Sequence, residues 1–284
     1  MSVESRYNLS EIQWPKTPFS LFNSVVMLVK RGSEAHGTYC PPEEANGIDD
    51  RDIMGLVIPP IDYYVGLKDD WKKSEVQEIN GPWDVVLYDV RKFMRLVVAQ
   101  NPNILTALWS EKEDYLKLTP FGHILIRERD MFRGREKFHS ACIGYANAQL
   151  KKMTSFSLGT GYMGKKRKQL VEKYGFDCKN SAHLIRLLRM GKEFHLEGVL
   201  HVRRTHDKEE LIDIKHGKWS LQRIEEEAAR CFEEAEAAYQ SSILPEAVNM
   251  EAINNLLVRE MKGWFLETVC GMRRHPEKES AWIL

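Results

Sequence analysis

Gly32-Ser33 and, after a polar turn, Asp50-Arg51-Asp52-Ile53-Met54-Gly55-Leu56-Val57-Ile58 form the stretch whose reading decides the fold. Successive side chains of a strand point to opposite faces, so Asp50 and Asp52 project from one side with their carboxylates close enough to share divalent cations. Aspartates spaced by two are common in solvated loops. Here the second runs straight into Ile53 to Ile58, an apolar run that reads as a buried strand. Two charges at the lip of a core need a counter-charge.

Upstream, the apolar text from Pro18 to Val29 fits a short helix leading into a strand over Val25 to Lys30, which delivers Gly32-Ser33 at its carboxyl end. Glycine permits close backbone approach there. Thr38 to Gly47, with Pro41, Pro42 and Gly47, reads as the loop joining the two motif strands. Downstream, Pro59-Pro60 stops pairing, and Tyr63 to Leu67, Glu75 to Ile79 and Trp83 to Tyr88 read as further short segments of a small mixed sheet. Arg91 to Ala99 switches to helical periodicity, Asn101-Pro102 ends it, and Ile104 to Trp109 closes the sheet region. Beyond Thr119-Pro120 the chain reads as almost entirely helical. Phe121 to Met131, Glu136 to Met153, Lys165 to Tyr174, Asn180 to Arg189, Trp219 to Ala238 and Met250 to Val269 each carry apolar residues at spacings of three and four. The expectation is an α+β fold with a sheet domain over residues 1–118 and a helical domain over residues 119–284. The acidic runs Glu225-Glu226-Glu227 and Glu233 to Glu236 read as a solvated helix face.

The order Gly-Ser, strand, Asp-x-Asp resembles the signature of the nucleotidyltransferase superfamily typified by DNA polymerase beta. Gly32 to Thr38, Asp49 to Gly55, Arg91-Lys92-Phe93, Asn101-Pro102-Asn103 and His183 to Leu188 narrow the resemblance to the RNA-repair-associated polymerase-beta-like family, over a span from about Val25 to Arg203. The resemblance implies a polymerase-beta-like mixed sheet with flanking helices. It implies metal-dependent transfer of a nucleoside monophosphate from an NTP, ATP first among them, to a hydroxyl acceptor with release of pyrophosphate, the acceptor being an RNA or tRNA end. Such transfer rests on electrostatic positioning, and two Mg2+ or Mn2+ ions about 3.5–4 Å apart are a recurring means. Asp50 and Asp52 supply two carboxylates. A third is expected on a neighbouring strand, where Asp84, opening the apolar run Val85-Val86-Leu87, is preferred to Asp89, which ends it with opposite parity. Asp49 stands where the family more usually has serine, and it is expected to point away from the metals, toward Arg51 or solvent.

Gly32 and Ser33 are candidates for hydrogen bonds to phosphate oxygens. Lys179, His183 and Arg186 fall at i, i+4 and i+7, one face of a helix, while Leu184, Ile185, Leu187 and Leu188 supply its apolar face. A basic face with few acidic partners suits a triphosphate clamp. His36 reads as a conformational or packing residue. Lys165-Lys166-Arg167-Lys168, with Lys151-Lys152 and the glycine-rich Gly159 to Gly164, is the clearest local excess of positive charge, and it suits either an RNA backbone or a solubilising loop. Tyr145 and Gln149, one helical turn apart, suit either a nucleobase or packing.

Composition narrows the remaining classes. A chain of 284 residues with 43% hydrophobic and 29% charged residues can bury one large core or two modest ones. Lys+Arg equals Asp+Glu at 41 each, so contact with nucleic acid has to come from locally segregated charge. The five cysteines, Cys40, Cys142, Cys178, Cys231 and Cys270, are odd in number, scattered and never in a Cys-x-x-Cys pair. That argues against a disulfide framework or a zinc knuckle and fits a reducing cytoplasm. Met1 to Tyr7 is polar with no apolar targeting core, and the apolar runs near Val25 and Leu96 are too short to span a bilayer, so no membrane partner is expected. Two other functions stay open: a protein hydroxyl as acceptor, as in antitoxin-like minimal nucleotidyltransferases, and a non-catalytic nucleotide sensor. Retention of both Asp50 and Asp52 speaks against the sensor, because adjacent carboxylates with no cation between them repel.

Overall fold

The computed structural model describes residues 12, 14–41, 49–68, 71, 73–157 and 171–269. Its sheet has the order β3-β4-β2-β1-β5, built from β1 (Val25–Arg31), β2 (Arg51–Val57), β3 (Glu75–Asn80), β4 (Trp83–Asp89) and β5 (Tyr115–Leu118). β2 and β4 run parallel, and every other neighbouring pair is antiparallel. Short helices α1 (Leu21–Ser24), α2 (Gly32–Ala35) and α3 (Asp62–Val65) punctuate the strands. After β4 come α4 (Val90–Val98), α5 (Pro102–Trp109), α6 (Pro120–Arg127), α7 (Arg135–Ser157), α8 (Cys178–Glu197), α9 (Lys208–Lys215), α10 (Leu221–Gln240) and α11 (Met250–Val269).

Residues of alternating parity build two cores on the two faces of the sheet. Leu28, Ile53, Val57, Val85 and Leu87 pack on one side with Ile12, Trp14, Phe19 and Trp71. Gly55 belongs to this face because a Cβ there would lie 2.4 Å from Leu87 Cδ2 and 2.9 Å from Leu28 Cδ2. Val29, Met54, Leu56 and Val86 point the other way, into a cluster that continues through Phe93, Phe138, Ile185, Leu188, Ile224 and Ile253 of the helices. Asp52 shares parity with Met54 and Leu56, and Asp84 with Val86. Both carboxylates therefore face the helical side, at the ends where β2 and β4 begin.

α8 is the hub of the helical half. Asp177 caps it, accepting from the Asn180 amide at 3.0 Å, and Gly198 ends it in the left-handed region at φ 70°. Leu184, Ile185, Leu187, Leu188, Met190 and Phe194 are all buried, because α7, α9 and α10 pack around the helix. No helix among the described residues is long and apolar enough to cross a membrane.

Three expectations change. Tyr63 to Leu67 is not a strand segment: the chain turns helical as α3 just after Pro59-Pro60, with Tyr63 N–H donating to Pro60 O at 3.0 Å. β5 and α9 carry too little periodicity to be read from the sequence, and both form through partners distant in the chain, β5 along β1 and α9 against α8. The expected helix Asn180 to Arg189 is longer at both ends, and most of the expected helix Lys165 to Tyr174 lies outside the described residues.

Candidate active site

The strand pairing sets three charged side chains in a row. Arg31 pairs with Asp52 across β1 and β2, and Asp52 with Asp84 across β2 and β4. Arg31 Nη2 lies 2.9 Å from Asp84 Oδ2 and 3.9 Å from Asp52 Oδ1, while Gln77 Nε2 of the edge strand β3 donates to Asp84 Oδ1 at 2.7 Å. Immediately after Arg31 the chain turns at Gly32, whose φ of 62° favours glycine. A Cβ there would lie 2.2 Å from Asp52 Oδ2, so a side chain at this position would close the space above that oxygen. Burial, with Asp84 and Asp50 adding to it and Arg31 and Lys179 opposing, pushes the Asp52 carboxyl up to about 6. A carboxylate raised in this way gains most from a cation placed against it.

These residues form one wall of a cleft of about 290 Å³; α8 and α9 form the other. Gly32, Ser33, Asp52, Asp84, Lys179, His183 and Arg186 line it together. Asp50 does not line it. It lies one residue before β2, and its charge still bears on Asp52. Asp89 is turned away, capping α4 by accepting from the Arg91 amide at 2.8 Å and from Tyr64 Oη at 2.6 Å. Ser33 Oγ and Arg31 Nε are buried and have no hydrogen-bond partner among the described residues.

Arg186 sits in the floor of the helical wall, 5% exposed. Its Nη1 donates to Met190 Sδ at 2.8 Å and its Nη2 lies 3.0 Å from His183 Nδ1. Among the described residues no carboxylate is paired with it. Burial first, and then the nearby Arg204, lowers its guanidinium to about 10. His36 also lines the cleft, with Nδ1 2.9 Å from Val202 O, and burial together with Arg186 holds its ring well below the usual histidine range. Tyr145 stands beside this wall, its ring 5.7 Å from that of His183 and its hydroxyl accepting from Asn103 Nδ2 at 2.8 Å. Gln149 is buried.

Asp49 corrects the reading made from its position in the chain. It is 0% exposed and faces neither Arg51 nor solvent. Its Oδ2 accepts from Lys215 Nζ at 2.5 Å and from the Cys40 amide at 2.9 Å, and its Oδ1 lies 3.0 Å from Lys179 Nζ. Burial alone would raise its pKa, but Lys215 and Lys179 outweigh burial and hold it below the usual carboxylate range. Lys215, Arg31, Asn103 and Thr106 line the cleft without having been singled out from sequence. Arg31 was within reach, since it shares a face with Asp52 once β1 and β2 are paired. Lys215 lies on α9, which gave no signal. Lys165 to Lys168 and the glycines before them lie outside the described residues.

The facing pair Asp52 and Asp84 offers oxygen donors alone, which suits a hard divalent cation. Among the described residues no group of three or more histidine, cysteine, aspartate or glutamate side chains converges as a ligand set. The cleft thus has a carboxylate wall that fits a cation and a basic wall that fits an anion, joined by a small-residue turn.

No curated protein and no solved structure matches the chain. The model of the RNA repair pathway DNA polymerase beta family matches residues 1–259. Members of this superfamily generally use divalent metals. The match covers about nine-tenths of the chain and the mixed sheet agrees with it: the protein belongs to the RNA repair pathway DNA polymerase beta family and is a nucleotidyltransferase.

Proposed function

We propose that the protein moves a nucleoside monophosphate from an NTP, ATP in the first instance, to a hydroxyl at an RNA or tRNA end. The acceptor oxygen attacks the α-phosphorus, the bond to the bridging oxygen breaks and pyrophosphate leaves. Asp52 and Asp84, which line the cleft, would hold Mg2+ or Mn2+, and Asp50, one residue before β2, would have to turn into the cleft to join them. Such ions when bound neutralise charge on the phosphates and acidify the attacking hydroxyl. Arg31 and Gln77 orient Asp84 through its two oxygens. Ser33 and the backbone at Gly32 would receive the phosphates, while Lys179, His183 and Arg186 would bind the outer ones. The observation that carries the reading is Arg186: a buried guanidinium with no carboxylate partner among the described residues, in a cleft with facing aspartates, calls for an anionic ligand.

The test is transfer of label from NTPs with Mg2+ to an RNA pool. Wild type should label RNA, and Asp52→Asn should lower the rate on the order of a thousandfold with its circular dichroism unchanged. Absence of label, or equal labelling by the variant, removes the reading. Label appearing on protein would move the acceptor from RNA to a protein hydroxyl.

A further inference from the structure

Two of the basic groups in the cleft already have an anion. Lys179 of α8 and Lys215 of α9 both line it, and both meet the single carboxylate of Asp49. Lys215 is 4% exposed and also donates to Thr38 O at 2.7 Å, in the loop that follows Ser33. Lys179, which lines the cleft, keeps 31% of its side chain exposed. The carboxylate between them belongs to the residue before Asp50, so the same contact ties the basic wall to the start of the carboxylate wall. No solvent reaches it.

We infer that Asp49 is an internal counter-ion of the phosphate wall: it positions Lys179 and Lys215 while the cleft holds no anion, and a polyphosphate takes over Lys179 on binding. This deepens the nucleotidyltransferase reading and rests on it. A group of this kind has two opposed effects. It stabilises the protein alone, because a buried Lys215, with Lys179 beside it, is costly without a counter-charge. It also moderates affinity for phosphates, because part of the attraction of the lysines is already satisfied. A residue that served only as a strut would have the first effect without the second, and its loss would weaken ligand binding as the wall loosened.

Calorimetry and thermal melting of the full chain separate the two, with pyrophosphate and a non-hydrolysable NTP analogue, each with Mg2+, as probes. Asp49→Asn and Asp49→Ser should melt at lower temperature without ligand yet bind both probes roughly tenfold tighter. Affinity that is unchanged or falls along with the melting temperature overturns the counter-ion. Should both variants fail to fold, Asp49→Asn/Lys215→Met, which removes one charge of each sign, decides. Recovery of folding and of the melting temperature supports the assignment, and continued failure overturns it. If wild type binds neither probe, the nucleotide reading itself falls and takes this one with it. If wild type binds and the Asp49 variants do not bind more tightly, only the counter-ion is lost.

Discussion

Arg186 and Arg189 lie three residues apart on α8 and meet opposite surroundings. Arg189 donates to Asp207 at 3.1 Å, Glu210 at 2.7 Å and Glu227 at 2.6 Å. Those bonds outweigh burial and raise its guanidinium above the usual arginine range. Arg204, 0% exposed at its side chain, is gripped by Glu193 at 2.5 and 2.8 Å and by Asp207 at 2.9 and 3.0 Å. Arg186 has a methionine sulfur and a histidine ring. Acidic side chains are plentiful one turn away, so the lack of a carboxylate on Arg186 among the described residues is not a shortage of acids. The network around Arg189 and Arg204 holds α8, α9 and α10 together; the cleft face of α8 takes no part in it.

The contrast can be broken most easily at Arg204. Truncating it to alanine removes the buried guanidinium that Glu193 and Asp207 share, leaving Asp207 with Arg189 and Glu193 with His206, and should cost about 3 kcal/mol in chemical denaturation. A loss below about 1 kcal/mol would make the network ornamental. Arg186→Met should behave in the opposite way. With no carboxylate orphaned, the protein alone should be as stable as wild type or more so, while affinity for a triphosphate with Mg2+ should fall about 10- to 100-fold, the range for charge-assisted hydrogen bonds. A variant that loses stability and keeps its affinity would place Arg186 in the structural network after all.

The smallest effect concerns pH. Glu34, on α2 beside the cleft, is pushed up to about 7 from 4.5, by burial first and then by Asp52, Asp114 and Asp49, with Arg51 opposing. The folded protein keeps this proton where the unfolded chain has released it. The associated stability is therefore complete below 4.5 and is lost as pH rises through about 7. Between about pH 5 and 8 the melting temperature of wild type should fall by about 2–4 °C relative to Glu34→Gln. Parallel curves would show that Glu34 ionises alike in both states.

Asp52 and Asp84 of the carboxylate wall were legible because they are written in strands, whereas Asp50, one residue before β2, does not line the cleft as its parity led one to expect. Parity alone puts Asp52 beside Met54 and turns Asp89 away from Asp84, and alternation needs no knowledge of distant contacts. The basic face Lys179, His183 and Arg186 was legible for the same reason with a helical period. Asp49 was misread because its direction depends on Lys215, 166 residues later, on a helix of eight residues without clear periodicity. β5 was missed similarly: Tyr115 to Leu118 becomes a strand only because β1 has an open edge there. What the sequence withheld was the pairing of charges across the cleft, which is decided by which elements meet rather than by what each contains.

The 3.0 Å contact between Arg186 Nη2 and His183 Nδ1 carries one more consequence. A guanidinium has N–H bonds and no lone pair to offer, so Nδ1 must be the accepting nitrogen and the ring proton belongs on Nε2. In that tautomer neither nitrogen of His183 can ligate a metal: one lone pair is engaged and the other is capped by hydrogen. That leaves the aspartate oxygens across the gap as the atoms suited to a cation, and the imidazole as one that is not.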